Sequence, residues 1–236
     1  MKNKNRTKIS QTRMLYQSGI TLIEIMVVVA IVVIISIIAV YQFSSSNKIS
    51  HIRTTADDMA LNIRKAQSYA LAVKSTSSFL RPYQNGYGVH FETGLNSNPQ
   101  DANQNSYIIF TDYELAIGPG GWDRAYLKSS AIGTPCGSPS QNDNECLEKI
   151  NMPAGDKITT IEVCYTTSGT TSCSSVSSMD IVFLRPNLDA YFCTIAPSLG
   201  GCSSYSQSSG LTKVTLTSGN RTKVINVWST GQIEIK

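Results

Sequence analysis

The sequence predicts an α+β protein. One long N-terminal helix, apolar in its first half and amphipathic in its second, packs on a C-terminal antiparallel β domain, as the stick of a lollipop meets its head. Three observations carry this expectation. No glycine or proline interrupts the 62 residues from Ile20 to Arg81, so nothing there punctuates a helix. Ile25–Asn47 holds no charged residue in 23 positions. Beyond Arg81 the chain breaks into short β-branched and aromatic runs separated by Gly, Ser, Asn and Pro, the signature of strands and turns.

The apolar half comes first. Ile25–Val40 is apolar except for Ser36. About 20 helical residues, rising about 1.5 Å each, cross a bilayer core of about 30 Å. Lys2, Lys4, Arg6, Lys8 and Arg13 precede the run, and residues 1–19 contain no acid. This flank predicts a single pass with a cytoplasmic N-terminus and an extracytoplasmic C-terminal domain. A cleaved secretory signal would have an apolar core of about 7–15 residues and a small-residue cleavage site. This run is longer and ends in YQFSSS. A plain anchor explains the greasy stretch but not Glu24, because a carboxylate inside the apolar zone costs up to about 3 kcal/mol on insertion scales. A buried helix of a soluble domain conflicts with the basic flank and the length.

The amphipathic half follows. Ile49, Ile52, Ala56, Met59, Ala60, Ile63, Ala66, Ala70 and Val73 recur at three- and four-residue steps, with Arg53, Asp57, Asp58, Arg64 and Lys65 between them. That is one apolar stripe on a helix reaching about residue 75, and its alanines suit a helix laid closely on a sheet.

The β region is expected to hold strands YGVHFE, SYIIFTDYE, ITTIEVCYT, MDIVFLRP, AYFCTI and TKVTLTS. A terminal hairpin, TKVINVWSTGQIEIK, turns near Thr230–Gly231. Segments 93–105 and 116–157 are polar and rich in turn residues, and the Ser-rich stretches 168–178 and 203–209 read as exposed loops.

The net charge of +4 comes from the head of the chain. Residues 1–19 hold five of the 20 bases, and the remaining 15 face 16 acids. A general nucleic-acid-binding surface is not indicated. The six cysteines, Cys136, Cys146, Cys164, Cys173, Cys193 and Cys202, all follow the apolar segment. An even number in that position favours disulfides in an oxidising, extracytoplasmic space. Their spacing suggests three local pairs, Cys136–Cys146, Cys164–Cys173 and Cys193–Cys202, among the 15 pairings that six cysteines allow. Zinc is the alternative. No C-x-x-C occurs, and His51 and His90 are the only histidines. No metal or cofactor is expected.

Gly19-Ile20-Thr21-Leu22-Ile23-Glu24, between a basic leader and about 20 apolar residues, resembles the signal of type IV prepilins and pseudopilins. The resemblance implies that a membrane prepilin peptidase cuts after Gly19 and methylates the new amine of Ile20. Phe is the usual first mature residue, so Ile20 departs mildly from the pattern. The resemblance also gives Glu24 a role. Its carboxylate would meet the N-terminal ammonium of a neighbouring subunit, each cancelling much of the other's cost of burial and so selecting axial register. Glu24 in the first helical turn also suits the helix dipole.

On that basis the chain divides into a leader at 1–19, a transmembrane and filament-core helix at 20–43, its amphipathic continuation at 44–78 and a β domain at 79–236. GYGVHF, IVFLRP and INVWSTGQIEI further resemble the GspH/FimT type of minor pseudopilin and minor pilin, from which the cysteine-bearing insertions depart. The implied function is that of a structural subunit of a type II secretion or type IV pilus filament. Its partners would be other pilins or pseudopilins, the peptidase, membrane lipid before assembly and, indirectly, a platform protein and an ATPase. Some FimT-like minor pilins bind DNA through basic residues near the C-terminus, which raises Lys213, Arg221, Lys223 and Lys236 as contacts; a solvated strand face is the competing reading. A simple membrane-anchored binding domain is the remaining alternative. No G-x-S-x-G, S-x-x-K set or phosphate loop marks an enzyme, and GPGG at 118–121 reads as a turn.

Overall fold

The computed structural model describes residues 20–72, 86–95, 101–112, 125–126, 136, 145–167, 170–184, 189–195, 202–206 and 210–236. The first element is helix α1, Leu22–Leu71. The chain forms two compact units, Met1–Ser45 and Ser46–Lys236.

In the first unit, Leu22–Val40 is long and apolar enough to cross a membrane. Its β-branched residues are poor helix formers in water, but a bilayer offers the backbone no partner outside the helix. The hydroxyl of Ser36 donates to the Val32 carbonyl at 2.7 Å, so this polar group is satisfied within the helix.

In the second unit, the C-terminal part of α1 buries Ile52, Ala56, Met59, Ala60, Ile63, Ala66 and Ala70, while Arg53, Asp57, Asp58 and Arg64 are exposed. The helix runs to Leu71, and residues 73–78 of its expected continuation lie outside the described residues. Ile49 and Val73, the outer members of the stripe, have side chains outside the described residues.

Eleven strands follow: β1 Gly86–Glu92, β2 Ser106–Asp112, β3 Cys146–Asn151, β4 Asp156–Thr167, β5 Thr170–Val176, β6 Ser178–Phe183, β7 Ala190–Ile195, β8 Cys202–Ser206, β9 Gly210–Ser218, β10 Arg221–Trp228 and β11 Ile233–Ile235. They build a six-stranded sheet, β3-β2-β1-β6-β7-β8, and a five-stranded sheet, β11-β10-β9-β4-β5. Every pairing between these strands is antiparallel. The architecture is therefore α+β.

Three strands lie where loops were expected. β3 falls inside 116–157, β5 inside 168–178 and β8, but for its first residue, inside 203–209. Each is the outermost strand of its sheet. An edge strand needs little apolar surface, and the polar, Ser-rich composition of β5 and β8 hid them. The expected strands are present where described; residues 113–114 at the end of one and 185–186 at the end of another lie outside the described residues.

The core has two parts, one on each face of the six-stranded sheet. Tyr87, Val89 and Phe91 of β1, Tyr107 and Ile109 of β2, and Met179, Ile181 and Phe183 of β6 point to one side. There they join the helix stripe with Ile158, Ile161, Val214, Leu216, Ile225 and Val227 of the second sheet. On the other face, Ile108, Phe110, Val182, Leu184 and Tyr191 pack with Ala102, Tyr126 and Cys146. The two-residue period thus sorts each central strand between two buried faces. Gly88 leaves no room for a side chain: a Cβ there would lie 2.6 Å from the Phe110 ring and 2.7 Å from the Ile181 carbonyl oxygen. The terminal hairpin turns through Gly231, whose φ of 79° favours glycine.

Candidate functional site

The N-terminal segment starts as its residues dictate. Thr21 precedes the first helical residue. Its carbonyl accepts from the N–H groups of Glu24 and Ile25, and its hydroxyl accepts from the Glu24 N–H at 3.4 Å. Thr21 is therefore the N-cap, and Thr21-Leu22-Ile23-Glu24 has the spacing of a capping box. The sequence reading missed this second use of the threonine, although the T-x-x-E spacing signals it. Glu24 lies in the first turn, where its charge complements the helix dipole. Among the described residues its carboxylate makes no hydrogen bond or ion pair. Gly19 lies outside the described residues. Ile20 is 72% exposed, and the large apolar side chains from Leu22 to Val40 are all at least half exposed. Burying one such side chain releases about 1.5–3 kcal/mol. This helix therefore has a strong drive to enter lipid or to pack against other helices.

The β unit contains one buried ionic centre that the sequence reading missed. His90 of β1 stands opposite Asp180 of β6 in the register. Both are fully buried, and Nδ1 lies 2.5 Å from Oδ1. Nε2 faces the Glu92 carboxylate at 3.5 Å. The other Asp180 oxygen accepts the Tyr126 N–H at 2.9 Å, and the Tyr126 ring lies against the imidazole at 4.9 Å between centroids. Burial pushes the imidazole pKa down, but the charge and hydrogen bond of Asp180, helped by Glu92, outweigh it and raise it to about 9. Both ring nitrogens thus address carboxylates inside a closed core. This geometry ties β1, β6 and the Tyr126 segment together.

Cys136 is joined to Cys146 and Cys164 to Cys173. Cys193 is also disulfide-bonded; the side chain of Cys202 lies outside the described residues. Glu162, Cys164 and Cys173 cluster closely enough to suggest a metal, but both sulfurs are consumed in the disulfide.

The basic residues near the C-terminus divide between two faces. Lys223 and Arg221 pair across the sheet with Leu216 and Ser218, on the side that carries the core. They line one cleft with Arg53 of α1. Lys213 belongs to the opposite face, 3.8 Å from Glu162, and Lys236 is 3.3 Å from Glu234. Lys213 is thus not brought together with the other two.

No curated protein and no solved structure matches the chain. A family model described as the prokaryotic N-terminal methylation motif matches residues 14–40. The match ends where the exposed apolar run ends, and it contains the capped helix start and Glu24. The chain thus carries a type IV pilin-like prepilin signal followed directly by an apolar helix.

Proposed function

We propose that this protein is a structural minor pilin or minor pseudopilin, of the GspH/FimT kind, in a type IV pilus or type II secretion filament. The methylation motif at residues 14–40, continuous with an uncovered apolar helix, carries the reading. Prepilin peptidase cuts after Gly19 and methylates Ile20. The subunit waits in the cytoplasmic membrane with its N-terminus inside and its β domain outside, in the lollipop arrangement. Its helix then leaves lipid for the company of other subunit helices, and Glu24 pairs with a neighbour's N-terminal ammonium. Thr21 supports this by satisfying the Glu24 N–H, so the first helical turn holds the carboxylate in a defined position. A platform protein and an ATPase drive assembly in trans. The role is structural rather than catalytic.

The test is the mass of the N-terminal peptide from membranes, with and without the peptidase. A peptide beginning at N-methylated Ile20 supports the reading. An intact N-terminus in peptidase-positive cells overturns it and leaves a membrane-tethered β domain.

A further inference from the structure

The amphipathic part of α1 and the C-terminal hairpin leave a groove between them. At one end, Arg53 of α1 and Arg221 and Lys223 of β10 line a cleft of about 420 Å³ floored by Ile52 and Ile235. It continues into a second cleft of about 320 Å³ with Leu61, Ile233 and Arg64. Asp57 and Ile235 belong to both. Among the described residues, four cations therefore face a single carboxylate along these two clefts. Among the described residues, Arg53, Arg221 and Lys223 make no ion pair. Leu61 is 57% exposed, an uncovered aliphatic side chain between Arg53 and Arg64 on the helix. From Ile52 to Arg64 the helix advances roughly 18 Å, the length of about five extended residues. β11 is the outermost strand of its sheet, and no described strand pairs with its outer side, so main-chain groups there are available to an extended ligand.

We propose that this groove binds an extended acidic peptide segment of a partner protein, with carboxylates at both ends and an aliphatic residue between them. The ends meet Arg53, Arg221 and Lys223 on one side and Arg64 on the other. The aliphatic residue covers Leu61, Ile233 and Ile235. Charge complementarity selects an anion, and the apolar middle selects a peptide. A nucleic-acid strand would set phosphates against Asp57 and against those three aliphatic side chains. The inference does not depend on processing at Gly19.

The experiment is fluorescence anisotropy on the full-length protein in non-ionic detergent, with a fluorescein-labelled Asp-Glu-Leu-Glu-Asp peptide as probe. A labelled oligothymidylate and inorganic phosphate serve as competitors. Saturable peptide binding is expected, weakened at least tenfold by Lys223→Glu or Arg53→Glu and several-fold by Leu61→Asn. Lys213→Glu, on the opposite face, should leave it unchanged. All four positions are at least partly exposed, and near-ultraviolet circular dichroism checks each fold. Three results would overturn the proposal: no saturation at millimolar peptide, equal loss in the Lys213 variant, or tighter binding of the oligonucleotide through the same residues. Displacement by low-millimolar phosphate alone would also overturn it, by reducing the groove to a simple anion site.

Discussion

Neutralising the buried imidazole should cost the β unit its stability in a defined pH window. His90 has a pKa of 6.5 when free and about 9 in the fold. A group whose pKa rises on folding stabilises the protein fully below its unfolded value. That contribution falls by about 1.4 kcal/mol per pH unit until the folded value is passed. Stability from this group is therefore complete below pH 6.5 and lost by pH 9, a decline of roughly 3 kcal/mol. The tyrosines near the centre do not confuse the window, because burial moves Tyr107 up to about 12 and Tyr126 higher still. The assay is urea unfolding of the oxidised, detergent-solubilised protein followed by near-ultraviolet circular dichroism at half-unit steps from pH 6 to 9.5. The wild type should lose about 3 kcal/mol across the range, and His90→Gln should follow a much flatter profile. Asp180→Asn should be the weakest variant at pH 6.5, by about 3–5 kcal/mol, because it strands the imidazolium and weakens the Tyr126 N–H bond. Equal pH profiles for wild type and His90→Gln would refute the reasoning. So would a wild type whose stability does not move between pH 6.5 and 9.

Three further outcomes follow from the packing and the N-terminus. Gly88→Ala should destabilise the β unit by about 1–3 kcal/mol, read from the urea midpoint, because the added methyl group meets Phe110 and a backbone oxygen of β6; an unchanged midpoint would mean that these strands can part. Replacing Cys164 and Cys173 together by Ser should speed amide exchange in β5 by up to about a hundredfold, since β5 buries no side chain fully and loses a closed loop worth about 2–3 kcal/mol. Glu24→Gln should leave membrane insertion and cleavage intact while reducing recovery in sheared filaments at least tenfold; normal recovery would remove the carboxylate from assembly.

The features set by local rules could be read from the linear sequence. The signal at Gly19–Glu24 is a contiguous run. The apolar span and the Ile52–Ala70 stripe follow a helical period. The β-branched strands β4 and β9 and the glycine turn of the last hairpin need only their neighbours in the chain. Three strands escaped because β3, β5 and β8 lie at sheet edges, where hydrogen bonds to one neighbour suffice and no apolar face is needed. The pairing of His90 with Asp180, 90 residues apart, depended on which strands become neighbours, and nothing local encodes that. The same holds for the basic residues. Lys213, Arg221 and Lys223 look like one patch in the chain, but the alternation of the sheet sends Lys213 outward and brings Arg53 of the helix to the other two. Periodicity tells a residue which side of its own element it occupies. Only the assembled sheets and helix decide what stands opposite.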